Sequence, residues 1–236
     1  MTDQLREAII RALDYVKRAG VEVDSAIWDG IKTIAFYQRS IETLVRDLYR
    51  DSISATDFEN SLVDLVDQQL DRAWREGMRK NELDPAQDMT PEFEATLEDI
   101  KLKELDYVTG FADAVREAAQ ADKESETPNA RLQGLYVRGS VWSNRYNDVV
   151  NQAVLETAEP ANRLEWIYGD TEHCETCAAL NGIVASAEEW ADLGIKPQSP
   201  PNDDLACGGW QCQCVLEPTN KKRSRNRQDV FDSLKL

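Results

Sequence analysis

A single histidine limits the chemistry open to this chain. A Ser-His-Asp arrangement needs an imidazole base, and only His173 is available to serve. No Walker A string and no G-x-G-x-x-G is present, so two common backbone cradles for phosphate are missing. No run approaches the roughly 20 apolar residues of a membrane-spanning helix. The opening residues MTDQLREAII carry acidic side chains where a secretory leader is basic, and no apolar stretch follows. Synthesis in a reducing cytosol, with no membrane contact, is therefore expected. Positive charge is also scarce: 27 Lys and Arg stand against 44 Asp and Glu, for a net charge of −17. A field of that sign repels phosphate and argues against a general nucleic-acid binder.

What is present suits a globular protein. The 236 residues are 42% apolar and 30% charged, enough for one large domain or two small ones with a buried core. Residues 1–158 read as helical. Leu5, Ile9, Ile10, Leu13 and Val16 form a first stripe that Gly20 would end. Asp24 or Ser25 would cap a second helix, with Trp28, Ile31, Ile34, Ile41, Leu44, Val45 and Leu48 as its apolar faces. Thr56-Asp-Phe-Glu59 has the form of a capping box, and Phe58, Leu62, Leu65, Val66, Leu70 and Trp74 follow at helical spacing. Gly77 is expected to fray that helix. Residues 80–90 are polar with Pro85 and form a loop. Thr90-Pro91 starts the next helix, whose stripe is Leu97, Ile100, Leu105, Val108, Phe111 and Val115. Residues 120–130 form a second, mobile loop. Leu135, Gly139, Trp142, Tyr146, Val149 and Ala153 then recur at nearly heptad steps, suited to packing on another helix or on a partner.

The pattern changes at Glu159-Pro160. Trp166-Ile167-Tyr168 is aromatic and β-branched and reads as a short strand. All five cysteines lie beyond it, as Cys174-x2-Cys177 and Cys207-x4-Cys212-x-Cys214. A C-x2-C turn brings two thiolates to one tetrahedral metal, and a distant hairpin supplies the other two. In a reducing compartment that spacing points to structural zinc. The expected ligands are Cys174, Cys177, Cys212 and Cys214, with Cys207 and His173 as alternatives. Gly208 and Gly209 would let the backbone turn beside the metal. Reduced cysteines packed as small hydrophobes, and a redox or disulfide role, are the competing readings. His173-Cys174-Glu175 also fits the H-x-E half of a zinc-dependent nucleobase deaminase, with Glu175 as proton shuttle. The second half of that motif fails, because four residues separate Cys207 from Cys212 and no proline precedes Cys207.

Trp166-Ile-Tyr-Gly-Asp170, Cys174-x2-Cys177-Ala-Ala-Leu-Asn-Gly182, Pro200-Pro201 and Cys212-x-Cys214 together resemble the C-terminal signature of the Mu F-like phage head morphogenesis (minor head) proteins. The helix around Trp142-Ser-Asn-Arg-Tyr146 resembles them too, and the likeness extends over about residues 30–218. That family usually has a histidine shortly before the final C-x-C, where this chain has Gly208-Gly209-Trp210, and Cys207 would stand in for it. The resemblance implies a non-enzymatic component of the tailed-phage head. Such a protein sits at the portal or inside the virion in several copies, after cytoplasmic synthesis, and acts in assembly or DNA delivery. The helical half would dock on portal or capsid subunits, burying part of its stripes.

The end of the chain has its own character. Lys221, Lys222, Arg223, Arg225 and Arg227 make a basic run against an acidic body, able to touch packaged DNA or an acidic portal ring, or to remain a solvated tail. The expected architecture is therefore mainly α. An elongated helical region (1–158) precedes a small cysteine-rich α+β module of zinc-ribbon type (159–218) and a basic tail (219–236). Two other functions compete with head assembly: a deaminase-like zinc hydrolase, and a zinc-ribbon interaction protein unrelated to phage.

Overall fold

The computed structural model describes residues 34–125, 127, 129–169, 172–198, 202–209 and 213–234. The stripe at residues 5–16, the Asp24/Ser25 cap, Trp28, Ile31, Pro200, Pro201, Trp210 and Cys212 lie outside them. Among the described residues five helices build the body: α1 (Ile34–Tyr49), α2 (Ala55–Lys80), α3 (Pro91–Leu105), α4 (Val108–Lys123) and α5 (Leu132–Thr157). The module follows as β1 (Arg163–Ile167), α6 (Glu175–Leu180), β2 (Val184–Ser186), α7 (Ala187–Leu193), β3 (Val215–Pro218) and α8 (Arg227–Leu234). The chain is mostly helical with one small antiparallel sheet. Among the described residues no helix is long and apolar enough to cross a membrane.

The apolar stripes face one another. Leu135, Gly139, Trp142, Tyr146, Val149 and Ala153 on α5 are all buried against α1 and α2. Phe111 lies between Phe58 and Trp142, with ring centroids 5.9 and 5.0 Å away. Burying such side chains contributes about 1.5–3 kcal/mol each, which makes this seam the main source of the body's stability.

Four local expectations need correction. The cap of α2 is Ser54, whose hydroxyl accepts from the Asp57 amide, so the helix starts before Thr56. Gly77 does not fray α2, because it is buried where α5 crosses. The stripe from Leu97 to Val115 belongs to two helices, broken at Asp106–Tyr107. The break lets α3 bury Leu97 and Ile100 on α2 while α4 turns Val108, Phe111 and Val115 toward α1 and α2. The loop expected at 120–130 is shorter than that, since α4 runs to Lys123.

Asp122 closes the far end of the body. Its carboxylate accepts the Arg131 amide at 3.0 Å, the Tyr49 hydroxyl and the Arg131 guanidinium. The Arg131 amide, then the Tyr49 hydroxyl, hold Asp122 below the usual carboxylate range against the opposing effect of burial. Burial, reinforced by Asp122, pushes Tyr49 up to about 12. A depressed carboxylate stabilises the fold above its unfolded value, about 3.9, and that contribution disappears as pH falls through the folded value. Thermal midpoints of wild type and Asp122→Asn should thus differ most near neutrality and converge below about pH 4.

In the module, β1 is the central strand of the order β2-β1-β3, antiparallel to both neighbours. Trp166 and Trp190 pack beneath it with centroids 5.9 Å apart, and the Trp190 indole donates to the Leu164 carbonyl at 3.1 Å. The side chain of Ser186 caps α7 and Glu189 answers it in a full capping box. Residues 219–234 do not leave as a separate tail. The Ser224 amide donates to the Val184 carbonyl at 2.9 Å, and Phe231 of α8 packs on Trp190 at 5.0 Å.

The body and module share one continuous apolar core. Asn151 of α5 joins them: its amide donates to the Cys214 carbonyl at 3.2 Å, and its carbonyl oxygen accepts from the Leu216 amide at 3.0 Å. Asn151 is fully buried, so Asn151→Leu strands backbone groups of β3. That costs about 2–3 kcal/mol, to be read as a lower urea midpoint.

Candidate metal centre

The C-x2-C turn is a helix start. Cys174 is the N-cap of α6, with extended backbone, and its sulfur accepts from the Cys177 amide at 3.4 Å. Cys177 stands one turn on, on the same side, and is fully buried. Thr176 between them anchors the second segment. Its hydroxyl accepts from the Ala206 amide at 3.1 Å and reaches the Asp204 carbonyl at 3.5 Å. Leu205 is buried beside it, and the Gly208 amide donates to the Leu205 carbonyl at 2.7 Å. Gly208 and Gly209 both take positive φ, at 65° and 79°, which lets the chain double back directly after Cys207.

These contacts bring the sulfurs of Cys174, Cys177 and Cys207 within 4.8 Å of one another. Around a tetrahedral zinc with Zn–S bonds of about 2.3 Å, sulfurs stand about 3.8 Å apart. An approach of about 1 Å at most would therefore seat an ion, and the three thiols could hold a metal. Burial pushes the Cys174 thiol up. The Cys177 amide and thiol, then the thiol and amide of Cys207, outweigh it and hold Cys174 below the ordinary thiol range. Thiolate character of that kind is what a metal ligand requires.

The remaining sequence candidates lie elsewhere. Cys212 is outside the described residues. Cys214 is buried just before β3, and its sulfur lies 3.6 Å from Nδ1 of His173. The His173 ring is stacked on Tyr168, with centroids 3.7 Å apart and planes 6° from parallel. Gln213 comes so close to Gly169 that a Cβ there would lie 2.2 Å from the Gln213 carbonyl oxygen, so only glycine fits. Glu175 is exposed on the first turn of α6. The histidine and glutamate of the H-x-E string therefore do not join the three thiols in one group.

The basic run is largely engaged by the module itself. Lys221 pairs with Glu165 at 2.6 Å, and Arg227 and Arg223 reach Glu189 at 2.7 and 3.8 Å. Lys222 and Arg225 are exposed and have no ion-pair partner among the described residues. Sequence reasoning did not single out Glu165 or Glu189. The Ser186-x-x-Glu189 capping spacing was the available signal for one of them. Comparison with protein-family models, with curated proteins and with solved structures finds no match.

Proposed function

We propose that the protein is a non-enzymatic minor head component of a tailed phage or prophage, associated with the portal, whose C-terminal module is a rigid knob built on structural zinc. The observation that carries the reading is the cluster of Cys174, Cys177 and Cys207, set within the Trp166-to-Cys214 segment that resembles the minor head proteins. In this reading Cys207 takes the place of that family's histidine, and Cys212 is the candidate left for the fourth ligand. Bound zinc would cross-link the start of α6 to the 202–209 loop. A closed thiolate shell leaves no position for a substrate, which favours assembly over hydrolysis.

The geometry also bears on how a partner would dock. Among the described residues the helical stripes are spent inside the body, so a contact surface there must come from what is left outside. Leu102, Tyr107, Val137 and Ile167 are 61%, 66%, 57% and 37% exposed and are the large apolar side chains available among the described residues. Lys222 and Arg225 are the basic side chains left over for an acidic portal ring or packaged DNA.

Two measurements test the reading. X-ray absorption of the purified protein should give one zinc with a sulfur-dominated shell and no water. Co-expression with the portal protein of the same phage genome should yield a complex that survives size-exclusion chromatography. A zinc carrying an open oxygen position would move the protein to the hydrolases. A well-folded protein that ignores the portal ring would remove the assembly role.

A further inference from the structure

The three clustered thiols are not equivalent. Cys177 is fully buried, whereas Cys174 and Cys207 are both partly exposed. The same two face each other where Thr176 ties the 202–209 loop to the start of α6. Their sulfurs are within 4.8 Å, against about 2.05 Å in a disulfide. The gap is at most about 2.8 Å, within reach of side-chain rotation and a small loop shift. Cys207 is on the 202–209 loop, ahead of two glycines whose backbone can adjust, while Cys174 is fixed as the cap of α6.

We infer that Cys174 and Cys207 form an oxidisable pair, a site of two-electron oxidation by a peroxide that closes a disulfide between the cap of α6 and the 202–209 loop. The Cys174 thiolate attacks one peroxide oxygen. The O–O bond breaks, the sulfur becomes a sulfenic acid, and the other oxygen leaves and is protonated to water. The Cys207 sulfur then attacks the Cys174 sulfur. The S–S bond forms, the S–O bond breaks, and the departing hydroxide takes the Cys207 proton to give a second water. Two thiols and one peroxide become one disulfide and two waters. Cys177, shielded from solvent, stays a thiol. Where zinc is bound, the step removes two of its donors and the ion is released. That last consequence rests on the zinc reading above; the thiol chemistry does not.

The test uses the full chain as purified, with its metal content measured beforehand. After a brief exposure to a small excess of hydrogen peroxide, remaining thiols are alkylated under denaturing conditions and the digest is mapped by mass spectrometry. A chromogenic chelator follows zinc in parallel. The expected result is a Cys174–Cys207 cross-linked peptide in most chains, reversed by dithiothreitol, with Cys177 and Cys214 alkylated. Zinc should appear in step with the cross-link. Cys207→Ser should instead leave a sulfenic acid on Cys174 that dimedone traps. If that variant does not fold, the wild-type map decides alone. A disulfide between any other pair, sulfinic acid on Cys174 without a cross-link, or thiols that survive peroxide would each overturn the inference. The two readings fail separately. A metal-free chain that forms the Cys174–Cys207 bond removes zinc and keeps the oxidisable pair. A zinc-loaded chain indifferent to peroxide does the reverse.

Discussion

Gly77→Ala is expected to destabilise the protein although alanine is the better helix former. In an open helix position the exchange gains up to about 1 kcal/mol. At position 77 the added Cβ would lie 2.5 Å from the Ala153 Cβ, 2.7 Å from the Val150 carbonyl oxygen and 3.0 Å from the Val154 amide nitrogen. Two of those three atoms are backbone and cannot rotate aside. The two longest helices, 26 residues each, must separate where they cross most closely. Overpacking of this kind costs about 1–3 kcal/mol, and Gly77→Val should exceed that range. Gly110 and Gly134 provide the internal control, because a Cβ at either meets nothing within 4 Å. Alanine there should raise the urea midpoint slightly, by about 0.5 kcal/mol in stability. Should Gly77→Ala behave like those two, the α2–α5 crossing described above would be wrong.

In the zinc reading proposed above, stripping the metal should have the largest effect on the module and a small one on the body. Structural zinc binding is worth on the order of 10–16 kcal/mol in small zinc-finger peptides, as much as the whole stability of a typical domain. Bound zinc would add to the Thr176 bridge and the buried Leu205, which already tie the 202–209 loop to α6. A strong chelator, or Cys177→Ala, should shift the emission of the buried Trp166 and Trp190 to the red while most of the far-ultraviolet helical signal persists. Trp74 and Trp142 in the body serve as the reference, since Phe111 and Phe93 continue to cover them. Unchanged tryptophan emission after complete zinc removal would mean that the module stands on its apolar core alone.

The body was legible in the sequence wherever a single periodic face did the work. Leu135, Gly139, Trp142, Tyr146, Val149 and Ala153 read as one stripe, and they are one buried face. The break at Asp106–Tyr107 was not legible, because no glycine or proline marks it. It comes from two helices having to reach different neighbours, which is a tertiary demand. The cap of α2 was misplaced by two residues because Ser54-x-x-Asp57 and Thr56-x-x-Glu59 overlap, and local spacing cannot rank them. Gly77 looked like a weak point in a helix because its reason lies 76 residues away, at Ala153. In the module, the pairing of Cys174 with Cys177 follows from a helical turn and could be read directly. Which later thiol joins them could not, since Cys207, Cys212 and Cys214 fall within eight residues. The choice of Cys207 is made by Thr176, whose hydroxyl ties down Asp204 and Ala206, a contact that no spacing rule anticipates.

Several outward-facing backbone groups on both rims of the small sheet are already taken. On the β2 side, the Val184 amide and carbonyl are both taken by Ser224, and the Ser186 amide is taken by the Glu189 carboxylate. On the β3 side, Asn151 occupies the Leu216 amide and the Cys214 carbonyl. Bare strand edges are templates for β-augmentation and for fibrous aggregation. Here both rims carry a cover made from the chain itself, at Ser224 and at Asn151. At those positions neighbouring copies of the chain cannot pair strand to strand.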